Sequence, residues 1–142
     1  MTINEVQNNI IDEFSLFNDW MDKYNLLIDL GKELPVIDQK FKIKDFLIEG
    51  CQSKVWLHPV YNGKIITFTA DSDAIITRGI VALLIKVLSD RTPEEIISSD
   101  LYFIDKIGLR QNLSPTRSNG LLSMVRQMKL YAMAFNAKKK IM

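Results

Sequence analysis

Residues 55 to 70 read V-W-L-H-P-V-Y-N-G-K-I-I-T-F-T-A, and this stretch decides the class of fold. Apolar and polar side chains alternate on both sides of the central N-G pair, whose tolerance of positive φ suits a tight hairpin turn. We predict antiparallel strands over 55–61 and 64–70, in a register that sets Tyr61 opposite Lys64. One face of the hairpin is then wholly apolar and is expected to face the core, and it consists of Val55, Leu57, Ile66, Phe68 and Ala70.

Two helices and a short strand are predicted before the hairpin. Apolar residues recur at helical spacing from Val6 to Phe17, and a second helical pattern begins after Asn18, which is a plausible cap. Gly31 is expected to end that second helix. Residues 45–49 then indicate a short strand, which gives the sheet three strands.

Three helix starts are indicated after the hairpin by capping residues, namely Ser72 or Asp73, Thr92-Pro93 and Ser114-Pro115. The first of these helices carries an apolar stripe that is expected to be buried from Ile75 onwards. No repeat or long linker divides the chain. We therefore predict one α+β domain over residues 1–142, with a small three-stranded antiparallel sheet packed against several helices.

The charge balance and the apolar runs exclude several classes of partner. With 18 basic and 17 acidic residues, the chain has no single-sign field for a phosphate backbone, so nucleic acid is not expected as a partner. The longest apolar run, from Ala74 to Leu88, is interrupted by Arg78 and Lys86 and is too short to cross roughly 30 Å of hydrocarbon. No membrane association is expected, and the chain start lacks a secretory pattern, which favours a cytoplasmic location.

Cys51 is the only cysteine in the chain and is the strongest candidate for chemistry. One cysteine and one histidine cannot supply the usual ligand set of a zinc or iron–sulfur site, and no glycine-rich phosphate loop is present, so neither a metal nor a cofactor is expected. The stretch E-G-C-Q-S-K-V-W at 49–56 sets the thiol in a polar, sharply turning segment. An accessible thiol is therefore favoured over a small buried apolar side chain.

A cysteine hydrolase would need His58 in hydrogen-bond contact with the thiol. If strand geometry extended back to Cys51, the two side chains would point to opposite faces and lie about 20 Å apart, at roughly 3.3 Å per residue. His58 is thus predicted to be a surface or partly buried strand residue.

The hairpin ladder also predicts where the thiol lies relative to the next helix. Extended beyond Val55, the predicted register brings Gln52 opposite Asp73. The thiol should then lie near the N-terminus of the helix that follows Asp73. A helix N-terminus can lower the pKa of a nearby thiol, but the Asp73 carboxylate would oppose this, so thiol acidity is expected to add little to the reactivity of Cys51.

Three blocks of the sequence carry a resemblance to a known family. They are G-C-Q-S-K-V-W at 50–56, A-D-S-D-A at 70–74 followed by R-G-I at 78–80, and L-S-P-T-R-S-N-G-L at 113–121. In this order they resemble the SufE family of sulfur-acceptor proteins, which includes its CsdE relatives. The resemblance implies a SufE/IscU-like α+β fold, similar to that of the U-type iron–sulfur scaffold proteins.

The resemblance also implies a function. The family takes persulfide sulfur from a PLP-dependent cysteine desulfurase, of the SufS or CsdA type, stimulates that enzyme, and passes the sulfur to downstream iron–sulfur scaffold proteins. The chain is then a sulfur-transfer accessory protein and not an enzyme, without a cofactor, and a monomer or a homodimer. By position, Cys51 resembles the persulfide acceptor, while loop-supporting or partner-binding roles are implied for Asp73, Arg117, Gln52 and Ser53. Arg117 is expected to contact either Asp73 or an acidic partner surface.

Two other functions remain open from the sequence. The chain could bind a partner enzyme and activate it allosterically without accepting sulfur. It could also be a cysteine-dependent hydrolase that uses Cys51 and His58, in which case it would turn over an ester or amide alone. Replacement of Cys51 by serine distinguishes the first alternative from sulfur acceptance, and dependence of the turnover on His58 would identify the second.

Overall fold

The computed structural model describes residues 1–35, 37–51 and 53–141, with side chains as far as residue 138. Its helices and strands in chain order are α1 (Ile3–Ser15), α2 (Trp20–Lys32), β1 (Val55–Tyr61), β2 (Ile66–Ser72), α3 (Ile75–Leu88), α4 (Pro93–Ser98), α5 (Phe103–Lys106) and α6 (Pro115–Ile141). Short 3-10 turns lie at Gln39–Phe41, Lys44–Phe46 and Arg110–Asn112. The predicted α+β class is confirmed.

The sheet has two strands among the described residues, so the predicted third strand over 45–49 is wrong. This segment begins as a 3-10 turn, because the amides of Phe46 and Leu47 donate to carbonyl groups three residues earlier, each over 3.1 Å. Only an isolated bridge joins Leu47 to Trp56 of β1. The amides of Phe46 and Leu47 are therefore bonded within the local turn and are not available to pair with β1 in a third strand.

The hairpin forms as predicted, but its register differs from the prediction by two residues. Tyr61 pairs with Ile66 and Val55 with Ser72, whereas the sequence suggested Lys64 and Ala70 as partners. The Asn62 side chain accounts for the difference, because its Oδ1 accepts hydrogen bonds from the amides of residues 64 and 65, both over 2.9 Å, and so lengthens the turn. A shift of two preserves the face of every side chain, and the predicted apolar face is buried.

Helix boundaries follow the capping residues, with two corrections. The Thr92 capping box and the start of α6 at Pro115 agree with the prediction. The cap of α3, however, is Ala74 and neither Ser72 nor Asp73, because Ser72 is still paired in β2. α2 is capped by Asp19 in place of Asn18.

Helices α2 and α3 pack together at a pair of glycines. Gly31 lies inside α2, which ends at Lys32, so the prediction that it ends the helix is wrong. A Cβ on Gly31 would lie 2.9 Å from the amide nitrogen of Gly79, and a Cβ on Gly79 would lie 2.6 Å from the carbonyl carbon of Leu27 and closer still to its oxygen. Both glycines are therefore required for the close approach of the two helices.

The core lies between the hairpin and the helices. The apolar face of the hairpin packs with α3 and α6, and the fully or nearly buried residues of these two helices include Ile80, Leu83, Leu84, Val87, Leu88, Leu121, Met124, Met128 and Ala132. Ile75 was expected in this stripe but is 63% exposed at the first turn of α3, so that prediction is wrong. None of the helices in the described part of the chain has the length and apolar content that crossing a bilayer requires.

Candidate functional site

Cys51 lies in a short loop that is hydrogen-bonded to the hairpin at both ends. Before the cysteine, the Ile48 amide donates to the Val55 carbonyl over 2.8 Å. After it, Lys54 and Asp73 exchange two bonds: the Asp73 amide donates to the Lys54 carbonyl over 3.2 Å, and the Lys54 amide donates to the Asp73 carboxylate over 3.0 Å. Cys51 is therefore midway between two fixed points, Ile48 and Lys54.

Helix α6 forms the surface on which this loop rests. The half-buried Cys51 thiol donates a weak hydrogen bond from Sγ to the Gly120 carbonyl oxygen over 3.7 Å. Gly50 has a φ of +85°, and a Cβ there would lie 2.9 Å from the Ser123 hydroxyl. Glycine at position 50 thus permits both the turn and the contact with α6.

A small apolar pocket opens beside the thiol. Its volume is about 20 Å³, which is room for about one water-sized group. The loop, β1, α3 and α6 all contribute to its lining, which consists of Cys51, Ser53, Val55, Thr77, Ile80, Val81, Thr116, Arg117, Gly120, Leu121 and Met124. The thiol therefore faces a space in which one additional atom of sulfur size can be accommodated.

Burial raises the pKa of the Cys51 thiol, whereas the sequence suggested a helix N-terminus that could lower it. A lower pKa would require the N-terminus of α3 to outweigh the rest of the thiol's environment. In the structure the apolar pocket and the backbone of α6 remove water from the thiol, and this desolvation disfavours the thiolate. In this conformation Cys51 is a protected thiol and a weak nucleophile.

The other predicted site residues take different positions around the loop. Ser53 and Arg117 line the pocket, and Arg117 is exposed in the first turn of α6. Asp73 accepts from the Lys54 amide and forms no ion pair with Arg117, so the alternative contact of Arg117, with an acidic partner surface, stays a prediction. Gln52 lies outside the described residues.

His58 is held away from this pocket by aromatic side chains. Its ring stacks on Phe41, with 3.5 Å between ring centroids, and meets the edge of Phe46 at 4.7 Å. Burial, together with the charge of Lys40, lowers the pKa of His58. His58 is not among the pocket-lining residues in the described part of the chain, so the structure does not assemble a Cys51–His58 pair.

An ion-pair network supports the outer side of the hairpin near the loop. Asp71 of β2 pairs with Lys42 over 2.6 Å and with Arg78 of α3 over 3.1 Å. Although burial opposes ionisation of Asp71, these cations and the hydrogen bond from the Ser72 amide lower the pKa of its carboxyl group. The Arg78 guanidinium also donates to the Ser72 carbonyl over 3.0 Å, so the network joins the end of β2 to the first turns of α3.

Several residues of the site were not predicted from the sequence, among them Thr77, Thr116, Gly120 and Met124. A signal was present for Thr116 and Gly120, which lie in the third resemblance block, but Thr77 and Met124 lie outside all three blocks. The described residues contain no cluster of three or more histidine, cysteine or acidic side chains that could hold a metal ion.

Comparison of the chain with known proteins identifies the family to which this fold and this site belong. A family model described as "SufE: Fe-S metabolism associated domain" matches residues 8–132. The chain therefore belongs to the SufE family, and this membership supports a role in iron–sulfur metabolism as an accessory protein.

Curated relatives agree with this assignment, and one solved structure shares the fold. An uncharacterised SufE-like protein of Rhizobium etli is 42% identical over 125 residues, which are 84% of each chain. One from Rhizobium meliloti is 39% identical over 84% of this chain and 89% of its own. SufE-like protein 1, chloroplastic/mitochondrial, of Arabidopsis thaliana is 37% identical over 91% of this chain but only 35% of its own length. The solution structure of a hypothetical protein from Thermus thermophilus shares the fold, with a TM-score of 0.76 at 15% identity, over 93% of this chain and 96% of that one.

Proposed function

We propose that this protein accepts sulfur from the persulfide of a cysteine desulfurase onto Cys51 and passes it toward iron–sulfur cluster assembly. The observation that carries the proposal is the position of the thiol: it lies at the middle of a loop fixed at both ends, beside a pocket with room for one more atom. The protein would stimulate the desulfurase by removing its sulfur and would need no cofactor. A thiol that must return to its reduced form favours a reducing compartment such as the cytoplasm.

The transfer is a thiol exchange in which atoms and charges balance. The Cys51 thiolate attacks the outer sulfur of the donor persulfide, a new S–S bond forms on Cys51, and the donor's S–S bond breaks. The desulfurase cysteine leaves as a thiolate and the outer sulfur keeps its proton. The product is a persulfide on Cys51, so no oxidant or reductant is consumed.

Docking, and not acidity of the thiol, should supply most of the rate. At an ordinary pKa near 8.5 only about 3% of a thiol is ionised at pH 7, and burial lowers this fraction further for Cys51 in its sheltered position. Holding two reacting sulfurs in contact is worth effective concentrations on the order of 10⁵ M, which outweighs any such loss. The partner therefore has to draw the loop out of the pocket and hold Cys51 against the donor sulfur.

The pocket beside the thiol would protect the sulfur after transfer. Its lining is largely apolar and its free space matches one added atom, so a persulfide can be enclosed with little rearrangement. Exclusion of water and small thiols would prevent loss of the outer sulfur before a recipient, such as an iron–sulfur scaffold protein, is met.

Mass spectrometry of the intact protein tests the proposal. After incubation with a desulfurase of the SufS or CsdA type and cysteine, we expect the chain to gain one sulfur atom, located on the peptide that contains Cys51 and removed by dithiothreitol. Incubation without cysteine is the control. If sulfur reached downstream recipients through this protein while Cys51 stayed unmodified, the proposal would be wrong.

Arg117→Ala is expected to weaken binding to the desulfurase about tenfold, because an exposed arginine at an interface rim steers association and pairs with acidic groups on the partner. Arg117 lies at the mouth of the pocket and forms no ion pair with an acidic side chain of the described residues. Titration calorimetry of the complex measures the effect.

Arg110→Ala is the matched control, because Arg110 is also exposed but is absent from the lining of the Cys51 pocket and pairs with Asp105 within the chain. Equal affinities for the Arg117 and Arg110 variants would exclude a partner-binding role for Arg117.

An interaction module that activates the desulfurase without accepting sulfur is the second candidate. The observation that favours it is the half-buried thiol with its raised pKa, which is a weak nucleophile in the free protein. A hydrolase is disfavoured because His58 stacks on Phe41, meets the edge of Phe46 and does not line the thiol's pocket.

A further inference from the structure

We propose that Gly120 is the positioning residue that holds the Cys51 loop in its sheltered conformation, because the absence of a side chain at position 120 lets the thiol rest on α6. Position 120 would therefore set the balance between a sheltered and an extended loop. Its importance for carrying sulfur rests on the proposed function, but its control of thiol exposure does not.

The surroundings of Gly120 carry the inference. A Cβ built on this residue would have three nearest neighbours that all belong to Cys51: Sγ at 3.3 Å, Cα at 3.5 Å and Cβ at 3.6 Å. The Gly120 carbonyl oxygen is also the acceptor of the thiol's only recorded hydrogen bond in the described residues. The space that a side chain at position 120 would fill is thus occupied by the cysteine of the loop.

Glycine is a poor choice for this position from the standpoint of the helix alone. Gly120 is the sixth residue of α6 and is followed by 21 more helical residues, so it lies in a helix interior, where glycine is less stable than alanine. Its φ is not positive, so the backbone conformation does not require glycine. The structural feature that favours glycine at this position is the close contact with Cys51.

A second contact, one helical turn further on, extends the same surface. Ser123 is three residues after Gly120 and therefore lies on the same side of α6, where it meets Gly50 of the loop. The loop rests on α6 at two positions, and each contact depends on a glycine, one in the helix and one in the loop. The Ile48–Val55 and Lys54–Asp73 hydrogen bonds at the ends of the loop are made to the hairpin segment and do not involve α6.

Substitution at position 120 tests the inference in the free protein. In Gly120→Ala the new Cβ would force Sγ away by a few tenths of an ångström, and in Gly120→Leu the side chain would take the place of the thiol. The readout is the rate of Cys51 alkylation by iodoacetamide as a function of pH, in which the thiolate forms an S–C bond and iodide leaves. Because this rate scales with the exposed population, we expect increases of about threefold for alanine and about tenfold for leucine.

The pH profile and the thermal midpoint separate positioning from a merely structural role. The alkylation profile should shift to lower pH in both variants, because the exposed thiol regains an ordinary pKa. The Tm of Gly120→Ala should be unchanged or on the order of 2–4 °C higher, since alanine is the better helix former. Asn119→Ala, at the exposed neighbouring position of α6, is the control that changes helix propensity without touching the loop.

An alkylation rate and pH profile for Gly120→Ala equal to those of the unmodified chain and of Asn119→Ala would overturn the inference. If the leucine variant does not fold, the alanine variant decides alone. The experiment uses no desulfurase, so its outcome is independent of persulfide formation. Faster alkylation in a chain that never gains sulfur would support the role of Gly120 and count against the proposed function.

Discussion

Cys51→Ser is expected to abolish persulfide formation on this protein and most of its stimulation of a desulfurase, while binding to the desulfurase is retained. Serine is nearly the same size as cysteine, so the half-buried loop can keep its position on α6. Its hydroxyl is a far weaker nucleophile toward sulfur, and the chain offers no second thiol. Intact mass after incubation with desulfurase and cysteine should show no added sulfur, and turnover of cysteine should fall most of the way to the level of the desulfurase alone.

The same variant separates the two candidate functions. A module that only opens the partner's active site would keep its full stimulation as Cys51→Ser, because its effect comes from binding. Ser53→Ala is a matched control from the same loop, since it changes a pocket-lining residue but leaves the thiol in place. Full stimulation by the Cys51 variant, with affinity unchanged, would refute sulfur acceptance.

Gly79→Ala is expected to lower the free energy of unfolding by about 3 kcal/mol or more, the upper part of the range for overpacking. The new methyl group would overlap the backbone of Leu27. A backbone inside a packed helix cannot shift out of the way as the end of a flexible side chain can. For a domain of this size the loss corresponds to roughly 6–12 °C in Tm. Denaturant and thermal unfolding followed by circular dichroism measure it.

Two further variants provide comparisons for the loss of unfolding free energy in Gly79→Ala. Gly31→Ala should cost less, because its nearest new contacts lie at 2.9 Å and 3.2 Å. Ala82→Gly, at a half-buried position of the same helix, should cost about 1 kcal/mol from helix propensity, in addition to the loss of one methyl group that lines a groove beside α2. Stability of Gly79→Ala equal to that of the unmodified chain would mean that α2 and α3 do not approach as closely as described.

The hairpin shows how far sequence periodicity reaches. Alternation predicted β1 and the buried face correctly, because it depends only on the parity of each position, but it set the second strand at 64–70, two residues before β2. The register depends on the turn, and the turn depends on the two hydrogen bonds that the Asn62 side chain accepts. The pattern N-G permits more than one turn length, so sequence reasoning selected the face but not the pairing.

Parts of the site show a similar division. Cys51 was predicted because it is unique in composition, and Arg117 because of its sequence block. Gly120 lies in the third sequence block but was missed, because its role comes from contact with a residue 69 positions away, which the block alone does not reveal. The raised pKa of Cys51 was missed for the same reason, since it depends on how closely the loop packs against α6.

The two hydrogen-bonded ends of the loop limit how far the cysteine can travel. Three peptide units separate Cys51 from Ile48 on one side and from Lys54 on the other, so full extension carries its Cα at most roughly 10 Å from either residue. A donor sulfur buried more deeply than this in a partner cannot be reached while both ends hold. The length of the loop therefore limits how deeply Cys51 can enter a partner. A partner whose donor cysteine lies deeper than this distance would be excluded, whatever its surface chemistry.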